Sequence, residues 1–157
     1  MVTPAQVPII EADFDEATNT VSYIVADPAT GAAAVIDPVL DYDPASGTVD
    51  TGSADRLLAR AQVAGWRVEW VLETHAHADH LSAAPYIKQR TGAKVAIGQH
   101  IRDVQKIFRP MFGADDVKLD GSDFDRLLAE GETLAVGELE FRVMHVPGHT
   151  PADVAYV

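Results

Sequence analysis

Apolar positions in the first forty residues come in short runs separated by polar turns, which predicts a strand meander. Residues 7–12 form one apolar run, and 13–20 are polar with the turn former Asn19. Residues 21–25 alternate weakly, and 27–31 have the composition of a turn. Residues 33–36 read as a short buried strand ended by Asp37-Pro38. Residues 41–53 carry Pro44, Gly47, Gly52 and several acids, and are expected to form an exposed loop.

The period then changes. Leu57, Leu58, Ala61 and Val63 give residues 54–64 the apolar side of a helix, which Ser53 or Thr51 would cap and Gly65 would stop. Residues 67–73 read as a strand buried on one face and part of the other. Ser82 would cap a helix to about residue 90, with Pro85 tolerated in its first turn and Gly92 ending it. Residues 94–97 form another strand, and 101–108 are helical by period until 109–113 breaks them. Residues 132–136 and 138–146 predict a hairpin around Gly137. A tight loop follows at 147–151, then a strand at 154–157. Strand pairs followed by alternating helices and strands imply a mixed α/β layered domain. The last strand has no closing turn or polar tail, which predicts that the chain is the N-terminal part of something longer.

Composition narrows the function. The chain has 157 residues, enough for one ordinary core, with 47% hydrophobic and 23% charged residues. Its net charge of −12 disfavours nucleic acid and anionic membrane as partners. No apolar run is long enough to span a bilayer. Residues 1–6 lack the basic-then-apolar character of a signal peptide, so a cytoplasmic location is expected. With no cysteine, a bound metal must be held by nitrogen and oxygen.

Such a metal site is expected. His75, His77 and His80 are half of the six histidines, and with Asp79 they sit directly after the 67–73 strand. Neutral imidazoles and a carboxylate at this density suit a first-row divalent ion. His75 and His77 can converge on one ion, while Asp79 and His80 face a point nearby, so one or two metal positions are possible. His149, in the glycine-containing loop 147–151, is the expected ligand from elsewhere in the sheet. His145 falls inside a strand, where partial burial or orientation of a ligand is the plainer reading. His100 has no assigned role.

Thr74-His75-Ala76-His77-Ala78-Asp79-His80, followed by Pro147-Gly148-His149-Thr150, resembles the first two metal-binding motifs of the metallo-β-lactamase superfamily. The resemblance implies a four-layer αββα sandwich, of which residues 1–157 would be the N-terminal part. Residues 34–40 and 73–81 are most similar to the persulfide dioxygenase branch, relatives of glyoxalase II. That resemblance implies His75 and His149 as ligands of a single Fe(II), with a later aspartate completing the set. In a two-metal Zn(II) hydrolase, His75, His77 and His149 would hold the first ion, and Asp79 with His80 would help hold the second. The family's later aspartate and further histidine are not in this sequence, and Asp153 lies too soon after His149 to be the former.

Three functions follow as expectations. The first is an iron-dependent dioxygenase oxidising glutathione persulfide to sulfite. The second is a glyoxalase II-like thioesterase or lactonase in which a cation activates water and Asp79 orients it. The third is a metal-binding fragment with weak metal retention and little turnover. The expected partner is a small glutathione derivative, and the strand at 154–157 leaves a homodimer open.

Overall fold

The computed structural model describes residues 7–157, so the reading of residues 1–6 lies outside the described residues. The chain opens with β1 (Ile9–Asp15), β2 (Thr20–Ala26), β3 (Ala32–Ile36), β4 (Val39–Asp43) and β5 (Thr48–Asp50). Next come α1 (Gly52–Ala64), β6 (Arg67–Glu73), β7 (Leu81–Ser82), α2 (Ala84–Thr91), β8 (Lys94–Gly98) and α3 (Ile101–Phe112). It closes with β9 (Arg126–Leu128), β10 (Thr133–Val136), β11 (Leu139–His145) and β12 (Val154–Tyr156).

Six strands form one mixed sheet in the order β1-β2-β3-β6-β8-β9. The first three pair antiparallel, whereas β3, β6, β8 and β9 run parallel. Parallel strands buried on both faces need continuous apolar sequence, and β3 (Ala32, Ala33, Ala34, Val35) supplies it. Ala33 and Val35 meet Leu57, Ala61 and Ile87 of α1 and α2 on one side. Ala32 and Ala34 meet Leu134, Val136, Phe141 and Val143 of the β10-β11-β12 sheet on the other. These are α, β and β layers of the expected sandwich. Gly137 turns β10 into β11 at φ +61, and a Cβ there would strike Thr30 and Asp27, so the hairpin presses on the β2–β3 turn only because it is glycine.

Several predicted boundaries moved. Residues 41–53 are not a loop: β4 and β5 form a hairpin, with β4 also pairing β7. Its side chains are largely exposed, so no apolar alternation marked it. Its turn is closed by Asp43, which accepts from Ala45 N at 2.9 Å and Ser46 Oγ at 2.7 Å. The last predicted helix runs through Pro110 to Phe112, losing one backbone donor, and ends where Gly113 at φ +59 bonds back to Arg109 O. The first strand continues to Asp15 because buried Asp13 is paired with Arg60 of α1 at 2.6 Å. Neither Ser53 nor Thr51 caps α1 through its side chain, and Ser53 instead bonds Asp41. Strand β9 had no clear sequence signal.

Candidate metal centre

The parallel strands end on one side, and the loops after them converge there, as expected of ligand sites in α/β sheets. Asp37 follows β3, Thr74 to His80 follow β6, and the 147–151 loop joins β11 to β12. The ring centroids of His75 and His77 are 4.1 Å apart, as are those of His77 and His80. The ring of His149, 74 residues further on, stands 4.9 Å from that of His75, edge to face at 84°. Two distant loops therefore meet. Ligand atoms of His77, Asp79 and His80 lie within 4.8 Å of one another.

The hydrogen bonds fix which nitrogen each ring presents. Asp37 adopts φ +48, a backbone state that short polar side chains tolerate best. From there its carboxylate accepts from Thr74 N and Thr74 Oγ1, each at 2.7 Å. With that hydroxyl proton committed, Thr74 Oγ1 can only accept from His75 Nδ1 at 2.9 Å. His75 therefore keeps a lone pair on Nε2, and this atom is buried without a hydrogen-bond partner.

Neighbouring acceptors likewise fix the next two rings. His77 Nε2 is 3.0 Å from Asp37 Oδ1 and 3.2 Å from Glu73 Oε2. Both are acceptors, so Nε2 carries the proton and Nδ1 is the atom left for a ligand. The single proton points to Asp37, which leaves Glu73 Oε2 without an aligned donor. Thr20 Oγ1 donates to Asp79 Oδ2 at 3.1 Å and lies 3.3 Å from His80 Nδ1. His80 Nε2 is consequently a second buried, unpartnered imidazole nitrogen. Buried polar atoms without partners are costly, and lone pairs left on clustered imidazoles are what a divalent cation takes. The residues fit such an ion.

Electrostatics set the protonation states. Burial lowers the pKa of His75 and of His80, and the charge of His77 lowers both further, which favours neutral rings. Burial would lower His77 too, but hydrogen bonds and charge from Asp37 and Glu73 outweigh it and raise His77 to about 9. Glu73 is pushed up by burial, against the pull of His77. A cation entering here must therefore displace a proton from this group.

Two clefts flank the row of rings. One, of about 670 Å³, lies between the β4–β5 hairpin and residues 77–81. The other, of about 400 Å³, is lined by His75, His77, Pro85, Ile97 and Phe124. Among the described residues no helix is long and apolar enough to cross a membrane.

The structure brings His75, His77, His80 and His149 together, with half-exposed Asp79 at the rim. Sequence reasoning missed Asp37, Glu73 and Thr74 as orienting groups. It saw Asp37 as a strand terminator, and nothing local tells that its carboxylate turns back on a loop nearly forty residues away. Asp153 is also closer than expected. Its Oδ1 is 4.0 Å from His75 Nδ1, and it holds Thr150 beside His149.

Comparison with known proteins agrees with the motifs. Residues 15–157 match the metallo-beta-lactamase superfamily profile. A probable metallo-hydrolase of Burkholderia pseudomallei is 56% identical over 149 residues, 94% of this chain and 51% of that protein. A hydroxyacylglutathione hydrolase of Rhodospirillum rubrum is 37% identical over 134 residues, 85% of this chain and 41% of the relative. The crystal structure of ETHE1 from Myxococcus xanthus superposes with a TM-score of 0.71 at 28% identity, covering 95% of this chain and 53% of that one. The chain thus spans about half the length of these relatives or less. Shared motifs, shared layers and this extent of identity lead to one conclusion: the chain belongs to the metallo-beta-lactamase superfamily.

Proposed function

We propose that this chain contributes the metal-binding half of an enzyme acting on a glutathione-type sulfur compound, with an iron-dependent persulfide dioxygenase as the leading reading. Members of its superfamily are metal-dependent enzymes. The observation that carries the reading is the meeting of the His75 and His149 rings beside an imidazole nitrogen that has no partner. In this reading His75 and His149 hold the ion. His77, bonded through Nε2 to Asp37, orders the approach to it. Asp79 is engaged by the Thr20 hydroxyl, which supports a role beside the ion rather than on it. Bound Fe(II) with open positions would bring sulfur and O₂ within reacting distance. The balanced reaction takes R–S–SH, O₂ and water to R–SH and sulfurous acid, the sulfane sulfur being oxidised and O₂ reduced.

A second reading, a zinc-dependent thioesterase or lactonase, is favoured by the buried Nε2 of His80 next to Asp79 and His77. It also agrees with the hydrolase names of the relatives. There Asp79 would orient the attacking water and accept its proton.

Elemental analysis of the purified protein, with oxygen uptake measured on glutathione persulfide, separates the two. One iron per chain with persulfide-dependent oxygen consumption is the expected result. Two zinc ions with anaerobic thioester cleavage would replace the dioxygenase by the hydrolase.

A further inference from the structure

His145 and His100 lie outside the cluster described above, yet they touch each other. His145 ends β11, and its ring stacks on that of His100, directly before α3, with centroids 4.3 Å and planes 19° apart. His145 Nε2 is 2.9 Å from the carbonyl oxygen of Pro151. A carbonyl only accepts, so this nitrogen bears the proton and donates it. His100 Nδ1 stands 3.3 Å from Asp103 Oδ2, while the other oxygen of that carboxylate, Oδ1, accepts from Lys106 Nζ at 3.2 Å. The backbone N–H of His145 is itself held by Glu130.

Pro151 lies two residues beyond His149 in the same tight loop. One of that loop's ties is internal to it, and others join it to or close the stems beside it. Gly148 N donates to Thr150 O at 3.1 Å, Thr150 N to Asp153 Oδ2 at 2.8 Å, and Val146 N to Asp153 O at 2.9 Å. Such bonds give the loop its shape and close it onto the β11–β12 hairpin, but none of them reaches α3. On its C-terminal side it is anchored by Val154 N donating to Thr74 O at 3.0 Å. On the α3 side, buried Ala152 packs with Ile101 and Val104, and the His145 side chain adds the hydrogen bond to the loop itself, its ring steadied from behind by His100.

We propose that His145, backed by His100, is a positioning residue that holds the 147–151 loop so that the His149 ring faces His75. The proposal rests on the reading of His149 as a ligand. A ligand loop held rigidly loses less freedom when the ion binds, so the tie acts on metal affinity before it acts on any reaction.

The test is a calorimetric titration of the full chain with zinc alone, beside melting of the metal-free protein. His145→Phe keeps a ring to stack on His100 but lacks the donor, whereas His145→Gln restores a donor at about the same reach. Zinc affinity is expected to fall roughly 10- to 100-fold in H145F and to stay within about threefold of the parent in H145Q. His100→Ala, which leaves β11 untouched, should weaken zinc by a smaller factor, with the metal-free melting temperature held. Parent-like zinc binding in H145F, or equal loss in H145F and H145Q, would overturn the latch. H149A is the companion measurement. If it binds zinc as the parent does, the ligand reading falls and takes the latch with it; if it loses zinc while H145F does not, the latch alone falls.

Discussion

The two loops that meet at the candidate metal centre are built in opposite ways. The 74–80 loop rests on the buried carboxylates of Asp37 and Glu73, and its rings have their tautomers set by a chain of hydrogen bonds running inward. The 147–151 loop is exposed, His149 included, and is shaped by its own backbone, by Asp153 and by the His145 tie. One half of the centre is preorganised by the core, and the other is held at its ends. With an ion bound as proposed, such a division would let a rigid set of donors wait while the second loop closes with small adjustment.

The largest effect is expected from breaking the rigid half. Asp37→Ala leaves Thr74 N and the His77 ring without their acceptor in a mostly buried place. Unfolding by urea should show a loss of about 3 kcal/mol, together with loss of zinc binding. Asn tolerates the same left-handed backbone, so D37N should recover part of the stability and little of the zinc affinity. Equal zinc affinity in D37N and the parent would show that charge at residue 37 is not what orders His77.

Acidity distinguishes the loops next. The folded-state pKa of His77 is raised above the ordinary histidine value of 6.5 to about 9. Its contribution in the metal-free protein is therefore full below about pH 6.5 and lost as pH rises through about 9. Asp37 and Asp153 are each depressed despite burial, by hydrogen bonds and by neighbouring histidine charge. Their contributions are present above the ordinary aspartate value and lost as pH falls through the depressed one. The metal-free melting temperature should thus decline at both ends of the pH range. D153N should soften the acid side alone, whereas H77Q should flatten the alkaline side and, because His77 helps to hold Asp37 down, soften the acid side as well. A curve still falling above pH 8 in H77Q would assign that decline to another group.

The smallest effect belongs to the adaptable half. Asp153→Asn keeps one acceptor for Thr150 and loses the charge facing His75. It should cost about 1 kcal/mol of stability in the same unfolding assay, while zinc dissociates faster because the loop opens more readily. Unchanged zinc release would mean that the 147–151 loop does not need Asp153 to stay in place.

The sequence by itself determined the parts whose signal is local. Strand β6 was read with its observed ends because it alternates and then runs apolar. Helices α1 and α2 were read because Gly65 and Gly92 adopt the left-handed turn that stops a helix. The meeting of His75, His77 and His80 was legible because they fall within six residues directly after one strand. What the tertiary structure alone decided are the relations across the chain. Strand β5 and the outer end of β4 are exposed, so no burial pattern wrote their pairing into the sequence. Asp37 became the hub of the site because parallel pairing of β3 with β6 aligns Ile36 with Leu72 and sets residue 37 beside residue 74. His145 was ambiguous until its ring was found against His100, a contact made by two strand ends brought together through the packing of the two sheets. Local chemistry is carried by residue type and spacing, whereas the partner that orients each group is chosen by the fold.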